Sequence, residues 1–259
     1  MVEGEAALPV PARDQRDQRA LVRSVAFVWL ATAVLVLHPH YRAVGEAYLD
    51  RLGLPHWLMW ATCAAELVLG VVVALARPTW LSFALQAGPV AAFTIILAAI
   101  EPLLLAHPYG VLSKNLPLVG ALGVATLMAR EGRSARAWWL LRVAMALPWF
   151  TEGLVPKILF VQELELEVVR ASGLVPMDAT AFLHLLGAAQ IASGVAALAL
   201  RGRALALLLW LQVAALIALP ILVSWHDPLL WVHPFLPLLK NVPIIVGTVV
   251  VARRCSISS

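Results

Sequence analysis

Two segments of the chain carry nearly the same motif: His107–Pro117 reads HPYGVLSKNLP, and His233–Pro243 reads HPFLPLLKNVP. Both fit the pattern H-P-aromatic-x-x-L-x-K-N-[LV]-P. The same register places Glu101-Pro before the first segment and Asp227-Pro before the second. A motif that recurs together with its flanking landmarks predicts an internal duplication.

Earlier landmarks repeat in the same order. The E-x-x-x-G of Glu66–Gly70 corresponds to the Q-x-x-x-G of Gln190–Gly194, and the boundary between the copies falls near Arg130–Arg136. We therefore predict a disordered cytoplasmic tail (1–21), a first four-helix repeat (22–130) and a second four-helix repeat (131–254).

The composition indicates a membrane protein. Hydrophobic residues make up 62% of the chain and charged residues only 13%, whereas soluble domains carry about 25% charged residues. A membrane-spanning helix needs about 20 mostly apolar residues. We expect an all-α integral membrane protein whose eight transmembrane helices form two parallel-related four-helix bundles; the alternative is a soluble helical protein. The predicted helices are Val22–Leu37, Trp57–Ala76, Thr79–Ile100, Leu112–Ala129, Ala137–Phe160, Ala179–Leu200, Ala204–Trp225 and Leu236–Ala252.

The cations predict the orientation. The net charge of +4 could suggest nucleic acid as a partner, but the cations lie in short loops beside apolar segments, so the lipid bilayer is the expected partner. Lysine and arginine concentrate on the cytoplasmic side of a membrane protein. A bacterial inner (cytoplasmic) membrane with both termini cytoplasmic is therefore predicted. That side would receive Arg13, Arg16, Arg19, Arg23, Arg77, Arg130, Arg133, Arg136, Arg142, Arg201, Arg203, Arg253 and Arg254, and the outer side Arg42, Arg51, Lys114, Lys157, Arg170 and Lys240.

The repeated unit resembles the DoxX/DoxX-like family. The resemblance is carried by the E-x-x-x-G element, by the H-P-x-x-x-L-x-K-N element, and by Trp149–Lys157, which reads WFTEGLVPK and looks like the W-x-x-E-G-x-x-P-K opening of DoxX-like domains. Named members of that family are membrane subunits linked to thiosulfate:quinone oxidoreduction or to thiol-redox complexes. The chain has only Cys63 and Cys255, far apart, so a thiol–disulfide reaction of its own is not expected.

Ionisable groups inside spans usually face a bundle interior or a water-filled cavity. Glu66 lies in the middle of the second predicted span, with Gly70 on the same face to admit a neighbouring helix. It is a structural interhelical hydrogen-bond partner, a proton-carrying or ligand-binding carboxylate, or a residue exposed near a helix end. Gln190, at the corresponding position, cannot ionise and is interpreted as its structural counterpart.

Glu152 and Lys157 occur only in the second copy. Pro156 removes the amide that would bond to the Glu152 carbonyl, so the helix should kink there. Lys157 either extends to the outer membrane interface or turns inward to form an ion pair with Glu66 or Glu152 in a cavity.

The repeated Lys-Asn pairs stand at the outer ends of short helices. Lys114-Asn115 and Lys240-Asn241 could form an anion-accepting or carbonyl-polarising site, or they could anchor the chain at the lipid headgroups. His107 and His233 open the two motifs. No H-x-x-x-H helix or Cys/His cluster accompanies them, so no metal site is expected.

The leading functional prediction is a subunit or accessory of a quinone- or thiol-linked membrane oxidoreductase system with a membrane or soluble oxidoreductase partner. In this hypothesis, one polar pocket holds Glu66, Glu152, Lys157, Lys114 and Lys240. No covalently bound cofactor is expected, and quinone is the candidate ligand. The alternatives are a small-molecule or proton-coupled transporter and a non-enzymatic membrane scaffold; whether the chain is itself an enzyme stays open.

Overall fold

The computed structural model describes residues 12–132 and 134–255, and these residues form ten α-helices. Short 3-10 helices, Pro102–Ala106 and Pro228–Val232, precede the fifth and tenth helices, and a π-helical turn, Val155–Leu159, continues the sixth. The helices are α1 (Ala12–Leu35), α2 (Pro39–Arg51), α3 (Trp57–Leu75), α4 (Trp80–Ile100), α5 (Asn115–Glu131), α6 (Ala135–Leu154), α7 (Glu163–Ser172), α8 (Ala179–Ala199), α9 (Gly202–His226) and α10 (Asn241–Cys255).

The elements of α1–α5 recur in the same order in α6–α10. Each set has a long helix, a short helix, two long helices, a 3-10 helix and a final short helix. The short helices α2 and α7 are followed by glycines in the left-handed region, with φ of 64° at Gly53 and 61° at Gly173. Side chains with a Cβ rarely adopt that conformation, so these two glycines end equivalent helices in the same way.

The predicted spanning helices agree with the structure to within a few residues, except at α1, which begins at Ala12 instead of Val22, and at α5 and α10. The latter two begin at Asn115 and Asn241 because the residues before them form turns. Helices α2 and α7 were missed, since they are too short and too polar to be sought as spans. In α7, Glu163 and Glu165 lie in the first turn and Arg170 in the last. These charges are opposite in sign to the ends of the helix dipole and therefore stabilise the helix.

The tail expected over residues 1–21 is helical from Ala12 onward. Leu21 is fully buried, and Gln18 Nε2 donates to the carbonyl of Ala125 in α5 at 3.0 Å. Packing against α5 therefore orders this polar segment. Residues 1–11 of the expected tail, and Arg133 among the loop cations, lie outside the described residues.

Five helices of the described ranges are long and apolar enough to cross a membrane: α1, α3, α4, α8 and α9. A sixth candidate is the bent pair Ala135–Leu159 and Glu163–Ser172, whose axes differ by 93°. Helices α5 and α10, with 17 and 15 residues, are shorter than the roughly 20 residues of a full crossing. Large apolar side chains cover the outer faces, among them Leu75, Leu81, Ile95, Leu207 and Trp225.

The two copies share one core. The first and last helices of each copy, α1, α5, α6 and α10, pack against one another, while α3 and α4 flank one side and α8 and α9 the other. A Cβ placed on Gly120 would lie 2.5 Å from the Ala144 Cβ, and one on Gly247 would lie 2.3 Å from the Met145 sulfur. The contact of Gly120 with Ala144 joins α5 to α6, so the two copies pack directly against each other.

Candidate functional site

The two repeated lysines point into the protein and reach across the duplication. Lys114 Nζ donates to the carbonyls of Tyr109 at 2.8 Å and Pro237 at 2.9 Å, and Lys240 Nζ donates to the carbonyl of Val111 at 2.9 Å. Val111 and Pro237 occupy corresponding positions of the two motifs. Each copy therefore supplies a lysine to the loop of the other.

Each repeated lysine lines a cavity among the described residues, and the cavity of Lys114 is the larger, with a volume of about 650 Å³. Volumes of 300–1,000 Å³ are typical of sites for small molecules. The walls are mainly apolar side chains of α8 and α9 together with Leu238. Its polar residues are Tyr109 and Lys114 from the first copy and Trp149, Glu152, Lys157, Glu165, Ser172, Gln190, His226 and Asn241 from the second.

Lys157 enters this cavity because α6 is interrupted. Pro156 lies in the π-helical turn, and the chain then bends sharply into α7. Lys157 Nζ pairs at 3.0 Å with Glu165 Oε1, and both residues are buried. The inward orientation of Lys157 was one of the two alternatives, but the carboxylate that pairs with Lys157 belongs to neither Glu66 nor Glu152. Glu165 was overlooked, although it is an acidic residue just beyond a helix-breaking proline.

Glu152 belongs to a second polar pair in the same cavity. Its Oε1 accepts a hydrogen bond from Ser113 Oγ at 3.2 Å and lies 4.0 Å from Lys114 Nζ. Gly110 makes room for it: a Cβ there would lie 2.1 Å from the Glu152 Oε1, and the φ of Gly110 is 68°. The corresponding Leu236 also has positive φ, 47°, so the loop conformation is common to both copies.

Five residues lining the larger cavity carry a buried polar atom without a hydrogen-bond partner. These atoms are Tyr109 Oη, Trp149 Nε1, Glu165 Oε2, Gln190 Oε1 and Asn241 Oδ1. Buried polar groups are nearly always hydrogen-bonded. Both donors and acceptors are thus left unused around one apolar space, which is the arrangement of a site that binds a ligand or ordered water.

The smaller cavity, of about 320 Å³, is lined by Glu66, Asn115 and Lys240. Asn115 Nδ2 donates to Thr94 Oγ1 at 2.8 Å, whereas Glu66 Oε2 is buried without a partner. Gly70 allows the approach of α1 that the sequence predicts, since a Cβ there would lie 2.9 Å from Leu30.

The two cavities are assembled in the same way. Each takes an asparagine from the last helix of its own copy and a lysine from the other copy, and Glu66 in the smaller corresponds to Gln190 in the larger. The candidate pocket residues therefore divide between two cavities. Lys157 and Glu66, expected to share one pocket, do not line the same cavity.

The two motif histidines line neither cavity. His107 Nδ1 accepts a 3.3 Å hydrogen bond from the amide of Tyr109, and His233 Nδ1 accepts one of the same length from the amide of Phe235. Burial lowers the pKa of both imidazoles to about 4, so they are neutral turn-forming residues near pH 7. Within the described ranges, no group of three or more His, Cys, Asp or Glu residues could hold a metal.

A duplicated set of apolar helices around polar-lined cavities defines a helical membrane protein built from two copies of one unit. The model of the DoxX-like family matches the chain twice, over residues 26–123 and 146–249. The chain belongs to the DoxX-like family, and the two matches agree with two tandem repeats. No curated protein and no solved structure matches it.

Proposed function

We propose that the chain crosses the bacterial inner membrane eight times, with both ends of the helical region on the cytoplasmic side. In this arrangement α5 and α10 complete the crossings of their copies, and the turns before them dip below the outer surface. Support comes from the arginines near the cytoplasmic ends, such as Arg77, Arg130 and Arg201, since basic residues concentrate on that side. The short polar helices α2 and α7 then lie at the outer side.

We propose further that the larger cavity binds the head group of a membrane quinone or quinol, and that the protein is an accessory subunit of a quinone-linked oxidoreductase. The observation that carries this proposal is the set of unpartnered donors and acceptors around an apolar space of about 650 Å³. A quinone accepts hydrogen bonds from groups such as Tyr109 Oη and Trp149 Nε1. A quinol also donates to groups such as Glu165 Oε2 and Gln190 Oε1.

The charges of the larger cavity favour a neutral ligand. Two lysines, Lys114 and Lys157, face two carboxylates, Glu152 and Glu165. Adding a charged ligand to an already balanced, water-poor site would leave one charge uncompensated, which is costly. A quinone head group is uncharged, and its prenyl tail fits the apolar walls. The thiol-linked alternative is less well supported, because Cys63 lies in α3 and Cys255 in α10, and the two do not form a disulfide with each other.

Binding of decylubiquinone to the purified protein in detergent, measured by isothermal titration calorimetry, tests the proposal. Trp149→Phe should weaken binding about five-fold, because a neutral hydrogen bond contributes about 0.5–1.5 kcal/mol. Trp138→Phe is the matched control: its indole nitrogen also lacks a hydrogen-bond partner, but Trp138 lines neither cavity. Equal effects of the two substitutions, or absence of binding to the unmodified protein, would contradict the assignment.

The partner role is tested separately in bacterial membranes. Deleting the protein should lower quinone reduction by the membrane fraction, and Trp149→Phe and Tyr109→Phe should each restore it incompletely when expressed to the same level. Full restoration by both variants would show that quinone reduction does not depend on the larger cavity.

One observation favours a transporter as the second candidate. The break in α6 leaves the buried Lys157–Glu165 pair beside the cavity, and interrupted helices with polar side chains form the binding sites of many transporters. In proteoliposomes, a proton-coupled transporter would acidify the lumen when substrate is added and would lose this coupling in Glu165→Gln. An accessory subunit would show no such flux.

A further inference from the structure

The smaller cavity has its own unused polar groups. It is lined mostly by apolar and aromatic side chains of α1–α4, such as Trp29, Met59 and Phe93. Several of its polar residues are already engaged: Trp29 Nε1 donates to Gln86 Oε1 at 3.3 Å, and Tyr48 Oη donates to Glu101 Oε2 at 2.7 Å. Glu66 Oε2 is buried without a hydrogen-bond partner and therefore needs a donor.

Lys240 supplies the complementary group. Its ammonium has three protons, and one of them is donated to the Val111 carbonyl. Lys240 and Glu66 are the charged residues that line this cavity among the described residues, so their charges cancel. A cationic or anionic ligand would disturb that balance in an apolar space, whereas a neutral ligand would not.

We infer that the smaller cavity is a second binding site, for a neutral hydroxyl-bearing molecule with an apolar tail. A hydroxyl of that ligand donates to Glu66 and accepts from Lys240, and its apolar part lies against the aromatic walls. A quinol satisfies this description, as would a phenolic or alcoholic lipid. The quinol assignment rests on the function proposed for the larger cavity, and the protein then holds two such molecules.

The volume is sufficient for a head group. About 320 Å³ lies at the lower end of the range for small-molecule sites, so the smaller cavity suits a ring and the beginning of a tail. The duplication also explains the pairing of sites: the motif that brings Lys114 to the larger cavity brings Lys240 to the smaller. The two cavities differ at one equivalent position: α3 contributes the carboxylate of Glu66 to the smaller cavity, and α8 contributes the amide of Gln190 to the larger.

This difference gives a matched pair of variants. Glu66→Leu removes the carboxylate from the smaller cavity, and Gln190→Leu makes the equivalent change in the larger. Decylubiquinol is the probe, and its binding to the purified full chain in detergent is measured by equilibrium dialysis under argon. We expect two molecules per unmodified chain. Glu66→Leu should weaken one of the two sites at least ten-fold and leave the other unchanged, and Gln190→Leu should weaken the other site.

The outcomes separate this inference from the proposed function. One bound molecule that Glu66→Leu does not affect but Gln190→Leu weakens overturns the second site and supports the larger cavity. One bound molecule lost only in Glu66→Leu supports the smaller cavity as a site and overturns the function proposed for the larger. No binding to the unmodified protein overturns both.

A second variant controls for misfolding of the Glu66→Leu protein. Glu66→Gln keeps the size and the hydrogen-bonding oxygen of the side chain while removing its charge. Binding intermediate between the unmodified protein and Glu66→Leu is the expected result. A photoreactive azido derivative of the quinol should also label peptides from α3 or from the Lys240 loop, and should lose that labelling in Glu66→Leu. Labelling that persists unchanged in a folded Glu66→Leu protein overturns the inference.

Discussion

Lys240 Nζ donates a 2.9 Å hydrogen bond to the carbonyl of Val111, a residue of the other copy. Lys114 makes the reciprocal bond to Pro237 at the same length. The two loops are therefore tied to each other by the same side chains that line the two cavities. A ligand that draws either ammonium toward itself acts on the contact between the copies as well.

The first prediction concerns these two lysines. Lys114 donates to two carbonyls and lies near the Glu152 carboxylate, whereas Lys240 donates to one carbonyl. Removing a buried charge leaves its partner uncompensated. We expect Lys114→Met to lower the thermal unfolding midpoint in detergent more than Lys240→Met, as followed by circular dichroism. The reverse order would show that the additional contacts of Lys114 do not stabilise the protein more than the contacts of Lys240 do.

The second prediction concerns Gly110. Gly53→Ala is the control, because Gly53 has a similar positive φ and nothing within 4 Å of an added Cβ. That control should cost about 1–2 kcal/mol, the usual penalty for a side chain in left-handed backbone. Gly110→Ala should cost more, since its Cβ would clash with Glu152. Both are measured as free energies of unfolding from denaturant titrations.

A compensating substitution sharpens this test. Thr32 stands in the first copy where Glu152 stands in the second. In a Glu152→Thr background, Gly110→Ala should cost no more than the Gly53→Ala control, because the shorter threonine does not reach the added methyl group. If Gly110→Ala alone costs no more than the control, the loop adjusts without strain and the close contact is not a constraint.

The third prediction concerns the Lys157–Glu165 pair. Breaking a buried ion pair by removing one partner costs about 3–5 kcal/mol, whereas replacing both by apolar groups costs much less. Lys157→Met and Glu165→Met should each destabilise the protein strongly, and the double variant should be more stable than either single variant. A double-mutant cycle of unfolding free energies measures this coupling. Additive losses would mean that the two charges do not interact.

The fourth prediction concerns pH. Burial lowers the pKa of His107 and His233 to about 4, against about 6.5 in an unfolded chain. Between these values the unfolded chain binds protons that the folded protein does not. Stability contributed by the neutral histidines is therefore complete above about pH 6.5 and is lost as the pH falls toward 4.

Asparagine is the suitable replacement, because its side-chain oxygen can accept a hydrogen bond from the backbone amide two residues later, as the imidazole Nδ1 does. The His107→Asn, His233→Asn double variant should lose less stability than the unmodified protein between pH 7 and pH 4, as measured by thermal unfolding. An unchanged pH profile would mean that these imidazoles do not control acid stability.

Much of the architecture follows from the sequence because apolar segment length and a repeated motif are properties of the chain itself. The copies, the order of the long helices and the kink at Pro156 were predicted in this way. Helices α2 and α7 could not be found as spans, since α7 carries Glu163, Glu165 and Arg170. Their helical order depends on contacts with α3 and α8.

Most of the candidate residues line one of the two cavities, but their grouping was not predicted and Glu165 was overlooked. Polar side chains such as Glu66, Lys157 and Lys240 stand out in an apolar chain, so a sequence reveals them. Which of them meet depends on how the copies pack, and the exchange of lysines between copies has no signal in either copy alone. The partner of Lys157 is likewise decided by the bend between α6 and α7, which brings Glu165 back beside it.

The absence of a side chain at Gly110 makes the two halves of the chain unequal. A methyl group at that position would lie 2.1 Å from Glu152 Oε1, although the two residues belong to different copies. Leu236 stands at the equivalent position of the second copy. A chain built from two second halves would therefore place a leucine side chain against the acidic residue, so the second half cannot replace the first without undoing this fit.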